Sequence, residues 1–324
     1  MGLKLQILIP QYQEDEEVIR TLLDSIQIQQ AVDLKNDVGA IIVNDGSDVH
    51  LSQEFLDNYT VPIEYHLHEH KGVSATRNAC MDYATAEYVL FADSDDMFYN
   101  ACGLWIIMQH IEKGFDSMVS VFVEEWKDRE TGEIKFLNRE RDNVFVHGKV
   151  HRRQYLIDQN IRWNEKLTIH EDSYFNTLCQ TLSEDVIYVT APFYLWRWRD
   201  ASVCRHDPKY ILKTYGNLLD SNEALAQEFL KRGKEELAQS FITMMVFDAY
   251  YTMNKPAWIN QENTEYRDKV EERFTRYFRD NKHLWESIPM EKKMQISNNV
   301  RTRSVGEGML MEKTTIEQWL ANRD

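Results

Sequence analysis

Short apolar runs alternate with helix-like stretches over the first hundred residues. Leu5-Gln6-Ile7-Leu8-Ile9, closed by Pro10, has the length and composition of a buried strand. Val18, Ile19, Leu22, Leu23 and Ile26 then recur at helical spacing, with acidic residues from Glu14 to Glu17 where a helix start favours negative charge. Ala40-Ile41-Ile42-Val43 predicts a second strand, Ile63 to Leu67 a half-exposed third, 74–84 a helix, and Tyr88 to Ala92 another buried strand. Alternating strands and helices predict an α/β fold, with a mostly parallel sheet covered by helices on both faces. Met118 to Val123 is a further strand. The charged stretch Glu124 to Asp142, with a turn at Thr131-Gly132, predicts an exposed hairpin or flap. Beyond Pro208 helical periodicity takes over, at Tyr210–Leu230, Glu235–Met253, Glu265–Asn281 and Thr315–Leu320. The expected division is an α/β domain over 1–206 and a helical domain over 207–324.

Composition narrows the function classes. The 324 residues carry a formal charge of −16, which argues against broad affinity for nucleic-acid backbones or anionic membranes. Cys80, Cys102, Cys179 and Cys204 lack the paired spacing of a zinc site and are too scattered for a disulfide framework. Four buried thiols in a reducing compartment are the expectation. No leader-like segment opens the chain and no apolar run reaches membrane-spanning length, so a cytoplasmic location is expected.

Ligands of a parallel α/β sheet bind beyond the carboxyl ends of its strands. Three such ends are polar here: Gln11-Tyr12-Gln13-Glu14, Asn44-Asp45-Gly46-Ser47 and Asp93-Ser94-Asp95-Asp96. Carboxylates crowded after a buried strand repel one another unless a cation lies among them, and their oxygens suit Mg²⁺ or Mn²⁺. A solvated acidic turn is the plainer alternative.

These segments resemble family 2 glycosyltransferases of the GT-A fold. Ile7 to Glu14 is similar to that family's opening strand, and Ile42-Val43-Asn44-Asp45-Gly46-Ser47-Asp48 to its second-strand motif. Gly72 to Asn78 resembles the family's Gly-x-x-x-Ala-Arg-Asn helix motif, with Thr76 in place of the usual Ala. Tyr88 to Asp96 is similar to the DxD strand. Later segments follow in the family's order: His147-Gly148-Lys149, Asn160 to Trp163, His170-Glu171-Asp172 and Phe193 to Arg197 with Ser202.

The resemblance implies an inverting transfer of a sugar from a nucleotide-diphosphate donor, a UDP-sugar by preference, to an acceptor hydroxyl on carbohydrate, protein or another molecule. It also implies a divalent cation, Mn²⁺ or Mg²⁺. Tyr12 and Glu14 are expected to border the nucleobase and Asp45 to accept from a uracil imide N–H, with Pro10 and Ser94 completing the donor-binding set. Arg77 is expected to approach the diphosphate or to order Asp93, which faces the ribose or shares the metal. Asp95 is the expected metal ligand, with Asp96 beside it and His206 as a further candidate. Asp172 is the expected base and Glu171 its understudy, although acidic residues in a first helical turn also arise for electrostatic reasons alone.

Other readings compete. A non-catalytic nucleotide-sugar binding protein fits the same donor residues. A haloacid-dehalogenase-like phosphatase would use Asp93 as nucleophile and Asp95 as acid, but Asp96-Met97 does not continue that motif. A sugar nucleotidyltransferase needs a glycine-rich first loop, and Gln11 to Glu14 has no glycine. Trp196-Arg197-Trp198-Arg199 either stacks on sugar and phosphate or forms one strand with two different faces.

Overall fold

The computed structural model describes residues 2–128, 130–199, 209–306 and 315–323. The chain divides into two compact units, Met1–Val203 and Cys204–Asp324.

The first unit is built on one nine-stranded sheet. Its strands are β1 (Leu5–Gln11), β2 (Val38–Asp45), β3 (Ile63–His68), β4 (Tyr88–Phe91), β5 (Met97–Phe98), β6 (Ser117–Lys127), β7 (Ile134–Arg139), β8 (Lys149–Arg152) and β9 (Val186–Trp196). The helices are α1 (Glu16–Gln27), α2 (Gln53–Leu56), α3 (Val73–Tyr83), α4 (Gly103–Ile111), α5 (Arg153–Asp158) and α6 (Glu171–Thr181). Strand order is β3-β2-β1-β4-β8-β6-β9-β5, with β7 paired to β6.

The first four strands are parallel, as the alternating pattern predicts, and α1 and α3 make crossovers that parallel pairing requires. Beyond β4 the sheet is mixed: β8 runs antiparallel to β4 and β6, whereas β6 and β9 are parallel. β5 and β8 are two and four residues long, too short to leave a periodic signal. The charged stretch after β6 is indeed a hairpin, and every residue of β7 is exposed.

Burial explains why these elements form. Ile7, Leu8, Ile9, Ile41, Ile42 and Leu90 are fully buried, as are Ile19, Leu22, Leu23 and Ile26 on one face of α1. Each such side chain contributes about 1.5–3 kcal/mol relative to exposure. Asp15 caps α1 by accepting from the Glu17 and Val18 amides. Pro10 is tolerated in a central strand because β4 ends opposite Leu8, leaving only β2 beside it. Cys80 and Cys179 are buried and free, but Cys102 is exposed at the start of α4. The expectation of uniformly buried thiols therefore fails there, and Cys204 lies outside the described residues.

The second unit is helical: α7 (Tyr210–Lys213), α8 (Tyr215–Lys231), α9 (Glu235–Met253), α10 (Pro256–Ile259), α11 (Thr264–Asp280), α12 (Lys282–Glu286), α13 (Met290–Gly306) and α14 (Ile316–Ala321). Ala238, Ile242, Met245, Val246, Ala249 and Tyr250 give α9 a buried stripe at helical spacing. Trp258 packs edge-on against Tyr215, and Trp319 lies against Phe274. Among the described residues no helix is long and apolar enough to cross a membrane.

Candidate active site

The carboxyl ends of β1, β2 and β4 meet at one edge of the sheet. After β1 the chain turns through Gln13, whose φ of 66° lies in the left-handed region. The Tyr12 amide donates to Glu14 Oε2 at 2.7 Å, and the Tyr12 ring, 44% exposed, stacks on His70 at 4.7 Å. Gly46 follows β2 at φ 72°, where a Cβ would stand 2.4 Å from the His70 amide nitrogen, so only glycine fits. Asp45 itself is a clamp. Its carboxylate accepts from the Lys71 and Gly72 amides at 2.8 and 2.9 Å and faces His70 Nδ1 at 2.9 Å. The loop entering α3 is thereby held beneath Tyr12. A carboxylate has about four acceptor positions, so about one remains for a ligand.

Arg77, on α3, is the hub of the site. It is 3% exposed, and its guanidinium reaches three carboxylates: Asp172 Oδ1 at 2.6 Å, Asp93 Oδ1 at 3.0 Å and Glu171 Oε1 at 3.2 Å. The Trp163 ring lies 4.5 Å beneath it and stacks on Phe175. Asn78 fixes that loop by accepting from the Trp163 amide and donating to the Trp163 carbonyl. The adjacent Arg77 and Asn78 thus tie α3 to the loop before α6. Arg77 contacts Asp93 directly, which is the arrangement that the ordering expectation describes.

Electrostatics follow from one buried cation facing three acids. Burial opposes the Arg77 charge, but Asp172, Asp93 and Glu171 together hold its pKa above the ordinary value. Burial, then the neighbouring Asp172, pushes Glu171 up to about 7, with Arg77 opposing. Asp172 is also raised by burial, against Arg77. Asp172 is no cap of its own helix. One oxygen is on Arg77, and the other accepts from the Val146 amide at 3.1 Å.

The loop after β4 divides its carboxylates. Asp96 is 1% exposed and accepts from the Tyr194 hydroxyl at 2.7 Å and the Arg197 amide at 2.9 Å. Burial, then Asp95 and Asp93, raises its pKa well above the usual range. Asp95 lies nearer solvent and pairs with Arg199 at 2.9 Å. Burial raises the Glu14 carboxyl despite the Tyr12 amide, with Asp95 adding repulsion. Asp93, Asp96 and His147 bring one ligand atom each within 4.8 Å of one another.

Carboxylates and one imidazole fit a divalent cation. Within that set Asp96 is already doubly hydrogen-bonded and His147 is 2% exposed. Asp93 and Asp95 are the half-buried pair facing outward, with side chains 31% and 34% exposed.

The structure thus gathers Tyr12, Glu14, Asp45, Arg77, Asp93, Ser94, Asp95, Glu171 and Asp172 around one edge, with Pro10 inside β1. His206 and Ser202 lie outside the described residues. Trp196 ends β9 and Arg197 to Arg199 leave the sheet, so the alternating Trp-Arg run is not one strand with two faces. Its arginines instead hold the loop of Asp95 and Asp96. Unassigned from sequence were Trp163, Tyr194, His70 and His147, whose partners are distant or whose role is packing. For Trp163, Tyr194 and His147 the only signal was their place in the later motifs.

Residues 6–175 match Glycosyl transferase family 2. Among curated relatives, the uncharacterized glycosyltransferase YibD of Escherichia coli (strain K12) is 33% identical over 134 residues, 40% of this chain and 36% of that protein. This chain therefore spans little more than a third of that relative's length. EpsH of Bacillus subtilis (strain 168) is 25% identical over 270 residues, 74% of this chain and 73% of its own. Among solved structures, residues 1–349 of S. aureus TarS in complex with UDP-GlcNAc superpose with a TM-score of 0.63 at 17% identity, covering 85% of this chain and 81% of that one. That likeness establishes the GT-A fold. A single family match runs from β1 into the start of α6, which displaces the phosphatase reading of Asp93. With this domain over more than half its length, the chain belongs to glycosyl transferase family 2.

Proposed function

We propose that the protein is an inverting glycosyltransferase that moves a sugar from a UDP-sugar to an acceptor hydroxyl, with a divalent cation in the site. The observation carrying this reading is the Arg77 hub, which joins Asp93 at the donor edge to Glu171 and Asp172 across the site. A TarS structure of the same fold holds UDP-GlcNAc, which supports a uridine donor.

In this reading Tyr12 stacks on the uracil with His70 behind it, and the free lone pair of Asp45 accepts the imide N–H. Glu14 and Ser94 border the same pocket. Asp93 and Asp95 would hold the cation, which neutralises charge on the departing diphosphate. Arg77 orders Asp93 and opposes the burial that disfavours the Asp172 carboxylate, while the Val146 amide fixes that carboxylate in orientation. The acceptor proton passes to an Asp172 oxygen as the new bond forms on the face opposite the diphosphate. The transferase unit would extend over 1–206, with 207–324 as a separate helical domain.

The test is UDP release from a panel of UDP-sugars, with Mn²⁺ and with EDTA, followed by NMR of the product anomer. Inversion and loss of turnover in EDTA are expected. Retained configuration contradicts the mechanism. UDP binding with no turnover of any donor, water included as acceptor, favours the non-catalytic binding protein.

A further inference from the structure

We infer that Lys149 and Asn176 are positioning residues for Asp172, acting through the strap of residues 142–148. The inference rests on the reading of Asp172 as the base and adds residues that neither the family match nor the proposed mechanism assigns.

Lys149 opens β8 and is 1% exposed. A buried ammonium costs far more than a methionine of similar length unless its donors are used. Here they are spent on the strap. Nζ donates to the Phe145 carbonyl and, at 3.3 Å, to the His147 carbonyl, and lies 3.9 Å from Asp142 Oδ1. Those two carbonyls flank Val146, the residue whose amide donates to Asp172 Oδ2.

The strap is gripped again from the other side. Asn176 is fully buried on α6, one turn beyond Asp172 and on the same helix face. Its Nδ2 donates to the Phe145 carbonyl at 2.8 Å and the Val144 carbonyl at 3.3 Å. Asp142 adds an internal turn by accepting from the Val144 and Phe145 amides. Gly148 lets the strap re-enter β8 at φ 67°, close to the Ser120 carbonyl. The carbonyls on either side of Val146 and the two amides before it are therefore pinned, which aims the Val146 N–H at Asp172. A loose strap would leave that carboxylate free to rotate about Arg77.

The test compares Lys149→Met, Lys149→Arg, Asn176→Ala and Asp172→Asn in the full chain. Readouts are UDP affinity, turnover of whichever UDP-sugar the wild type uses, and hydrogen exchange at the Val146 amide. Lys149→Met and Asn176→Ala should retain UDP affinity within about twofold, lose about tenfold to a hundredfold in turnover, and exchange Val146 at least about tenfold faster. Lys149→Arg, which keeps charge and donors, should recover most of the turnover. Full turnover in both Lys149→Met and Asn176→Ala, with Asp172→Asn inactive, overturns this inference alone. Full turnover in Asp172→Asn overturns the base assignment instead. Should Lys149→Met not fold, Asn176→Ala decides, together with Val146 in the wild type: an unprotected amide there contradicts the strap.

Discussion

The two sides of the site are held by different means. At the proposed donor edge the ties run to backbone: Tyr12 to Glu14 two residues on, and Asp45 to amides 26 and 27 residues on. Around Arg77 the partners are side-chain carboxylates 16 to 95 residues away, and the cation they share is buried. The Tyr12 and His70 rings on this side form an exposed stack that should tolerate change. The hub has no such slack, because removing Arg77 leaves three acids without the guanidinium that bridges them. Function and stability should therefore separate at the first side and coincide at the second.

The largest effect should fall on Arg77. Arg77→Met leaves Asp93, Glu171 and Asp172 without their counter-charge, and breaking a buried charge cluster costs about 3–5 kcal/mol. Thermal denaturation of the first unit should register this as a fall of about 6–20 °C. An unchanged melting temperature would mean the cluster is not buried as described.

A smaller and opposite effect is expected at Glu171. Its folded pKa of about 7 exceeds the ordinary 4.5, so the native state keeps a proton that the unfolded chain releases. Stability then falls as pH rises between those values, and the full penalty, at most about 3 kcal/mol, stands above pH 7. Glu171→Gln lacks it. The variant should melt above the wild type at pH 8, and the difference should vanish below about pH 4.5. A constant difference across pH would contradict the assignment.

Tyr12→Ala should have the smallest effect on the fold. Losing one aromatic stack is worth about 0.5–1.5 kcal/mol, so UDP affinity should drop roughly twofold to tenfold in calorimetry, with the melting temperature unmoved. A large loss of stability would place Tyr12 with the hub rather than with the exposed edge.

The same division governs what the sequence discloses. β1, β2 and β4 announce themselves as apolar runs closed by polar residues, so the pattern alone puts Tyr12, Asp45 and Asp93 at one sheet edge. The parallel half of the sheet follows from its alternation with helices. The mixed half does not, because β5 and β8 are too short and β9 carries burial that does not alternate cleanly. Long-range partners are equally silent. Nothing near Asp96 indicates Tyr194, 98 residues on, and nothing near Asp172 indicates Val146 or Lys149. Asp96, read only as a neighbour of the metal ligand, is a buried anchor of its own loop. Such pairings depend on which strands become neighbours, and periodicity does not determine strand order.

The most direct test of the account is Asp172→Asn, assayed for UDP affinity by calorimetry and for sugar transfer in the same preparation. The amide can keep its bond from Val146 but cannot take a proton from the acceptor. UDP affinity should stay close to wild type while transfer slows by about two to four orders of magnitude. Transfer at the wild-type rate would contradict Asp172 as the base and leave it only a partner for Arg77.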